Sequence, residues 1–137
     1  MVPEESLKIV GEMRQAHDVT ESTKVSVPYQ EKTRGNELAR EQRFEEAITH
    51  YENALYGMKA LFEQALVGDR DQALRLINEI EIPVCMNLGL CYLKLGKYHH
   101  AINYCSQALD KDEENEKALY RRGVAYTRVG ELKRARA

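Results

Sequence analysis

The chain has 137 residues, enough for one domain, and its 20 Lys and Arg residues nearly balance 22 Asp and Glu residues, for a formal charge of −2. This balance argues against a general nucleic-acid-binding protein, which carries an excess of basic residues that displace counterions from phosphate. With 31% charged and 43% hydrophobic residues, the composition is typical of solvated amphipathic helices rather than of disorder. We therefore predict a folded, mainly helical domain.

No segment predicts a membrane span or a secretory signal. The longest stretch without charge, 82–93, has 12 residues, whereas a helix that crosses a bilayer needs about 20. The three cysteines are an odd number without C-x-x-C spacing, and their apolar surroundings predict buried, reduced side chains at Cys85, Cys91 and Cys105. A cytoplasmic location fits best, with the nucleus as a second option, and we expect no membrane partner.

The first 28 residues predict a short helix followed by a linker. Leu7, Ile9, Val10 and Met13 form one apolar side of a helix over 4–16. The segment that follows, 18–28, is β-branched and polar and reads as a linker, which either packs on the first repeat or remains mobile. We therefore place a separate N-terminal region at 1–28 and the main domain at 29–137.

The main domain begins with a helix pair whose second helix is unusually long. A first helix carries Gly35, a turn is predicted at 41–43, and Phe44 follows as an apolar anchor. Apolar residues then keep helical spacing from Glu45 to Leu66, about six turns, until Gly68 and Asp69 end the helix. Asp71 to Ile82 forms an apolar lead-in, and Pro83 lies either in the first turn of the next helix or at a kink in a continuous one.

Residues at the same position recur every 34 residues in the second half of the chain. The pairs are Gly89 and Gly123, Tyr92 and Tyr126, and Ala101 and Ala135. Gly35 precedes Gly89 by 54 residues, one period plus an insertion of 20, and Ala47 matches Ala101 in the first unit. The small residues permit close helix crossings. Turns are predicted at 95–97 and 129–131, before the apolar anchors Tyr98 and Leu132.

These residues resemble the tetratricopeptide repeat (TPR) family over Tyr29 to Ala137, although the customary Trp and the Pro at the end of a unit are absent. The resemblance implies an all-α TPR solenoid of three helix-turn-helix units, with an extended second helix in unit one and a truncated third unit. We place repeat 1 at about 29–68, the insertion and lead-in at about 69–82, repeat 2 at about 83–114 and partial repeat 3 at about 115–137.

Two segments, 82–88 and 115–123, are similar to the TPR domains of large FK506-binding immunophilins and of aryl-hydrocarbon-receptor-interacting relatives. This resemblance implies that an isomerase or isomerase-like domain precedes residue 1 in the parent protein. Within the chain itself we find no Gly-rich phosphate loop, no G-x-S-x-G and no H-E-x-x-H. We therefore predict that the chain is not an enzyme and binds no cofactor.

Five donor-rich side chains are predicted on the inner faces of the first helices. Lys32 and Asn36 are four residues apart and share a helix face, as do Lys117 and Arg121, and Asn87 precedes Arg121 by one period. We expect Lys117 and Arg121 to be exposed. The set resembles, residue by residue, the two-carboxylate clamp of TPR co-chaperones. The resemblance implies binding of the C-terminal Glu-Glu-Val-Asp tail of cytosolic heat shock protein 90 or 70, with client proteins as possible further partners.

The clamp chemistry is intelligible from the residue types, because two anionic groups on one terminal residue need cations for charge and amides for geometry. Asn87 lies in an apolar run, where a polar side chain is costly unless it faces a groove or a partner. Arg40, Lys94 and Arg128 recur at one repeat position and either extend the cationic lining or are ordinary helix-end cations.

Two interpretations of the function remain at this stage. The chain is either a tail-binding module or a TPR scaffold that binds another protein partner without recognising a chaperone tail.

A metal site is not expected, because His99 and His100 have no acidic or cysteine partner at metal spacing and read as exposed, and His17 and His50 are similarly unpartnered.

Overall fold

The computed structural model describes the backbone of residues 16–136 and the side chains of residues 26–136. Over this range the chain is helical and contains no β-strand, which confirms the predicted all-α class. The helices are α1 (Ala16–Arg40), α2 (Phe44–Glu63), α3 (Arg70–Leu76), α4 (Ile82–Lys94), α5 (Tyr98–Lys111) and α6 (Glu116–Arg136), with a π-helical segment (Ile77–Glu81) between α3 and α4.

Two antiparallel helix pairs, α1 with α2 and α4 with α5, form the first two repeats, and the turns predicted at 41–43 and 95–97 are confirmed. In each turn the amide of the last residue donates to a carbonyl five residues earlier, from Arg43 to Leu38 and from Lys97 to Tyr92, at 2.9 Å. The middle residue has a left-handed backbone in both, with φ of 74° at Gly96 and 62° at Gln42. Glycine adopts this conformation without strain, whereas Gln42 does so at a small cost.

The small residues of the first two units lie where the helices cross. A Cβ atom on Gly35 would lie 2.7 Å from the Tyr51 ring, and one on Gly89 would lie 2.5 Å from Cys105 Sγ. Ala47 and Ala101 have no exposed surface. The close crossings predicted in units one and two are therefore confirmed.

The third unit departs from the predicted pattern, because the turn expected at 129–131 is helical and α6 continues to Arg136. A Cβ on Gly123 would meet nothing within 4 Å, and Ala135 is exposed. Leu132, the anchor expected after this turn, is 50% exposed, so it gains no buried contact that would favour a turn at 129–131. Continued helical hydrogen bonds satisfy the backbone there instead.

The extended second helix of unit one is confirmed, since α2 has 20 residues against 14 in α5. It ends at Glu63, earlier than the predicted end at Gly68 and Asp69. Just after Glu63, Ala65 turns the chain with a left-handed φ of 55°. After α3 the helical path runs without a break through the π-helical segment into α4. Pro83 lies in the first turn of α4, which is the first of the two predicted alternatives, within a helical path that is continuous.

The linker predicted at 18–28 is wrong, because α1 begins at Ala16 and passes through this segment, and the boundary placed at 28/29 falls inside α1. The physical reason is tertiary packing. Val27 and Pro28 lie against Gly57 of the extended α2, and Pro28 is fully buried. A long partner helix thus overrides the weak helical propensity of β-branched residues. The short helix predicted at 4–16 lies outside the described residues, apart from Ala16.

The helical run Arg70–Lys94 is the centre of the hydrophobic core. By length and composition alone, this 25-residue run would be sufficient to cross a membrane, since an 18-residue window within it has a mean hydropathy of 1.2. However, Leu76, Ile80, Val84 and Leu88 of this run are almost fully buried within the domain, although Leu74 is 45% exposed. The run is therefore read as the core helix of a globular domain. Cys85, Cys91 and Cys105 are free and buried, as predicted.

Candidate functional site

Asn36 of α1 and Asn87 of α4 lie in direct contact, although they are 51 residues apart in the chain. Asn87 Nδ2 donates to Asn36 Oδ1 at 3.2 Å, and the Tyr51 hydroxyl donates to the same oxygen at 2.6 Å. Because both bonds occupy the oxygen, the Asn36 amide nitrogen keeps its two hydrogens for another acceptor. We call Asn36, Asn87 and Tyr51 the amide centre.

Tyr51 of α2 reaches the amide centre because Gly35 leaves room for its ring. Burial raises the pKa of Tyr51 to about 12, and the nearby Cys91 thiol adds to this, while Asn87, Arg40 and Arg121 act in the opposite direction. The hydroxyl therefore remains protonated and a donor at neutral pH. Its role is to orient the Asn36 amide.

Arg121 of α6 lies next to the amide centre. Its Nη1 donates to the carbonyl oxygen of Met86, the residue before Asn87, at 2.8 Å. Arg121 is half-buried, so the prediction that it is exposed is wrong, and burial lowers the pKa of its guanidinium, an effect opposed by Cys105, Cys91 and Tyr51. One guanidinium nitrogen fixes the side chain to α4, while the remaining N–H groups can bind an anion.

A cavity of about 660 Å³ opens beside Arg121, between α4, the start of α5 and α6. Lys117 is exposed, as predicted, and lines this cavity one helical turn before Arg121. The apolar part of the lining consists mainly of Leu90, Leu93 and Val124, and Glu116 contributes one carboxylate. We call this cavity, together with the amide centre, the clamp groove.

Of the three additional cations predicted from the repeat, two line the cavity and the third lies near the amide centre. Lys94 and Arg128 line the 660 Å³ cavity, although Arg128 also pairs with Glu131 at 3.3 Å. Arg40 is exposed at the end of α1, and its charge acts on the Tyr51 hydroxyl. All three are therefore basic residues at or near the groove, and two of them face the same cavity as Lys117.

Lys32 binds within the protein in this structure. Its Nζ donates to the Glu79 carbonyl oxygen in the π-helical segment at 2.7 Å. Lys32 thus supplies a side-chain donor to a backbone carbonyl at the point where the helix departs from regular α-helical hydrogen bonding. The expected convergence of Lys32 with Asn36 on a common ligand is absent from this conformation.

Among the side chains that the structure describes, the histidines and cysteines do not form a metal-binding group. Within the described part of the chain, no three His, Cys, Asp or Glu residues are arranged to hold a metal ion. The interpretation of His50 as unpartnered is wrong, since its Nδ1 lies 2.6 Å from Glu31 Oε2 across the α1–α2 interface. Burial raises the pKa of Cys85 to about 12 and that of Cys91 to about 11, which suppresses thiolate chemistry.

The structural partners of the site residues were not predicted from the sequence. Tyr51 occupies the same repeat position as Cys105 and is buried in the same way, so its hydroxyl role is specific to unit one. The sequence signal for Tyr51 is a hydroxyl-bearing side chain at a repeat position that holds the small side chain of Cys105 in unit two. No sequence signal identifies the Met86 and Glu79 carbonyls as acceptors for side chains, because every residue has a backbone carbonyl. For Glu79 the nearby Pro83, which has no amide hydrogen, is a partial signal.

Comparison with known proteins identifies relatives of both the sequence and the fold. Residues 82–115, which include α4 and α5, match the tetratricopeptide repeat family. The chain is 36% identical over 120 residues to the peptidyl-prolyl cis-trans isomerase FKBP42 of Arabidopsis thaliana, a match that includes 87% of this chain and 32% of that protein. The chain thus spans about a third of the length of this relative.

Two solved structures resemble the fold. The C-terminal TPR-containing domain of a Plasmodium falciparum FK506-binding protein is 31% identical, with a TM-score of 0.71 over 90% of this chain and 76% of that one. The second TPR domain of Spaghetti (RPAP3), bound to the heat shock protein 90 peptide SRMEEVD, is 28% identical, with a TM-score of 0.61 over 85% of this chain and 89% of that one. The described residues therefore form a TPR fold rather than a catalytic fold.

Proposed function

This chain belongs to the TPR domains of the FK506-binding protein family, and we propose that it is a co-chaperone module that binds the C-terminal Glu-Glu-Val-Asp tail of cytosolic heat shock protein 90 or 70. The proposal is supported by the RPAP3 domain, a structural neighbour that holds a peptide ending in this sequence. It also agrees with the amides and cations that line the clamp groove.

The observation that carries the proposal is the contact between Asn36 and Asn87 beside Arg121. The Tyr51 hydroxyl donates to Asn36 Oδ1 and thereby leaves Asn36 Nδ2 oriented as a donor. Arg121 of α6 adds a cation whose position is fixed by its bond to the Met86 carbonyl. Two carboxylates on one terminal aspartate would satisfy both donors. Charge-assisted hydrogen bonds of this type contribute about 1.5 to 3 kcal/mol each.

Lys117 and Lys32 complete the proposed clamp, consisting of Lys32, Asn36, Asn87, Lys117 and Arg121. Lys117 faces the open cavity and supplies charge without rearrangement. Lys32 reaches the ligand by exchanging the Glu79 carbonyl for a carboxylate, a stronger acceptor for an ammonium group. Arg40, Lys94 and Arg128 serve as secondary contacts for the acidic residues upstream of the terminal aspartate.

The test compares the peptide SRMEEVD as its free acid with the same peptide carrying a C-terminal amide, by isothermal titration calorimetry. We expect a micromolar dissociation constant for the free acid, about −8 kcal/mol at 1 μM, and no measurable binding of the amide. Binding of the free acid should weaken as salt rises, because the groove is open to solvent. Equal affinities of the acid and the amide would refute the clamp.

A second candidate function is a scaffold that holds a folded partner without tail recognition. It is favoured by the apolar side chains that α6 exposes, Leu119, Tyr120 and Tyr126. A partner captured in this way would bind regardless of its C-terminal carboxylate. The comparison of acid and amide therefore also separates the two functions.

The parent protein is proposed to carry a peptidyl-prolyl isomerase or isomerase-like domain outside this chain. The support is that FKBP42 bears an isomerase name and is about three times as long as the region that it shares with this chain. A cytoplasmic location, where heat shock proteins 90 and 70 occur, follows from the same proposal. Isomerase assays on the parent protein and on this chain should locate the activity outside residues 1–137.

A further inference from the structure

The ammonium group of Lys32 is held outside the amide centre in this structure. Its Nζ donates to the Glu79 carbonyl oxygen at 2.7 Å. Glu79 precedes Asn87 by eight residues on one continuous helical run, so the two residues are about 12 Å apart along the helix axis. Asn36 contacts Asn87 at 3.2 Å and follows Lys32 by one turn of α1. The bond to Glu79 therefore keeps a predicted clamp cation away from the two amides of the clamp.

The acceptor of this bond belongs to the π-helical segment, Ile77–Glu81. At the end of the segment the Ile82 amide donates to the carbonyl oxygen of Ile77, five residues earlier. Single π-turns inside helices are local departures from α-helical bonding and occur frequently at functional sites. Ile80 has no exposed surface, whereas Glu79 is exposed. The outer side of the segment can therefore change its hydrogen bonds while its inner side stays packed in the core.

Tyr29 of α1, one turn before Lys32, also interacts with Glu79. Burial raises the pKa of Tyr29, and the charge of the Glu79 carboxylate and hydrogen bonding to it raise this pKa further, while Arg75 acts in the opposite direction. The hydroxyl is therefore protonated at neutral pH and donates towards the carboxylate. Two side chains of α1 thus hold the same residue, Lys32 through its main chain and Tyr29 through its side chain.

We propose that Lys32 is a latch that regulates the clamp groove: it holds the π-helical segment while the groove is empty, and it releases the segment when a tail carboxylate becomes its acceptor. This inference rests on the proposed binding of the tail. One ammonium group cannot serve both places at once, because Glu79 and Asn87 are separated by about two helical turns. A carboxylate is also a stronger acceptor for an ammonium group than a carbonyl is.

The latch couples the groove and the π-helical segment in both directions. An interaction that is lost when the tail binds lowers the affinity for the tail, and by linkage the tail weakens that interaction by the same factor. Loosening the segment from α1 while Lys32 is kept should therefore raise tail affinity. Loss of a clamp residue has the opposite sign, so the two kinds of substitution are distinguishable.

The first measurement follows the Glu79 carbonyl by NMR in the whole chain, through its correlation with the Ile80 amide. Without any peptide, Lys32→Ala should shift this carbonyl signal, because its side-chain donor is lost. Lys59→Ala, at an exposed lysine of α2, should not shift it. These two variants test the internal bond independently of any ligand.

The same signal is then followed while the tail peptide is added. Saturation of the original chain with the free acid SRMEEVD should move the Glu79 signal to its position in Lys32→Ala. The C-terminal amide of the peptide, at the same concentration, should leave the signal in place. Lys117→Ala is the matched control within the clamp, since it weakens binding but keeps Lys32. At saturation its Glu79 signal should move as in the original chain.

Tyr29→Phe tests the coupling without a change of charge. It removes the hydroxyl that interacts with Glu79, so tail affinity measured by calorimetry should rise about threefold. When Lys32 is already replaced by Ala, the same substitution should change affinity less than about 1.5-fold, because no latch remains. Tyr56→Phe, at a tyrosine of α2 that is 66% exposed, should leave affinity unchanged. Circular dichroism checks that all variants remain helical.

Two results would overturn the latch alone. A Glu79 signal that stays in place while calorimetry shows the tail bound would mean that Lys32 does not leave the segment. Equal effects of Tyr29→Phe with and without Lys32 would make Tyr29 a direct contact of the tail. Absence of any binding of the free acid would instead refute tail binding itself, and the latch with it.

Discussion

The two ends of the clamp groove are built differently. At the amide centre, Asn36, Asn87 and Tyr51 bond to one another, and the adjoining Arg121 bonds to the Met86 carbonyl, so the donors have a fixed geometry before any ligand arrives. At the other end, Lys117 is exposed and faces an open cavity. The first end supplies hydrogen-bond donors with a fixed orientation, and the second end supplies positive charge. Substitutions at the first should therefore affect both folding and binding, and those at the second should affect binding alone.

The largest effect is expected from breaking the scaffold that supports both ends. Gly89→Leu would place a Cβ 2.5 Å from Cys105 Sγ and should lower the free energy of unfolding by about 3 kcal/mol. The matched control is Gly123→Leu at the same repeat position, which meets nothing within 4 Å. It should be neutral or raise stability by about 0.5 to 1 kcal/mol, because glycine is unfavourable inside a helix. Thermal melts would measure both, and equal losses would contradict the difference between units two and three.

Arg121→Ala should have the next largest effect, and it acts at the fixed end of the groove. We expect tail-peptide affinity to fall by about 2 kcal/mol, because a carboxylate loses a charged donor. The free energy of unfolding should fall by about 1 kcal/mol as well, since the bond to Met86 is lost and the residue is half-buried.

Arg121→Lys is the matched variant, because it keeps the charge but not the planar fork. Calorimetry and urea unfolding would measure the effects of both substitutions. Unchanged peptide affinity in Arg121→Ala would make Arg121 a structural residue.

Tyr51→Phe tests whether the amide centre orients Asn36. Loss of the hydroxyl removes one of the two bonds to Asn36 Oδ1, so stability should fall by about 1 kcal/mol. Tail affinity should fall by a similar amount, because the amide is free to rotate. Tyr126→Phe is the control at an exposed tyrosine. A stability loss without any loss of affinity would show that the orientation of Asn36 has no role in binding.

Lys117→Ala should have the smallest effect on stability and therefore defines the open end. The residue is exposed, so we expect the free energy of unfolding to stay within about 0.5 kcal/mol of the original value. Affinity for the tail peptide should fall by about 1 kcal/mol at low salt, and the difference should shrink as salt rises. Lys59→Ala, exposed on α2, is the control for charge alone. A loss of stability equal to that of Arg121→Ala would remove the distinction between the two ends.

Periodicity and residue type were sufficient for much of this architecture. The 34-residue period, the small residues at Gly35 and Gly89 and the turns at 41–43 and 95–97 follow from local rules, because each repeat buries the same face on its neighbour. Spacing also predicts that Lys32 shares a helix face with Asn36 and Lys117 with Arg121, since residues four apart lie on one face. The assignment of these residues to a clamp comes from the family resemblance and stays a prediction. These features depend on positions that are close in sequence or related by the repeat.

Contacts between distant parts of the chain decided the rest. Val27 and Pro28 pack on Gly57 of the long α2, and 18–28 is helical although its residues favour extended structure. The helix α6 continues through 129–131 and leaves Leu132 50% exposed. The bonds from Lys32 to Glu79 and between His50 and Glu31 join residues 47 and 19 positions apart. No local pattern encodes such pairs. They depend on how whole helices pack, and a propensity of a few tenths of a kcal/mol per residue is small beside that packing.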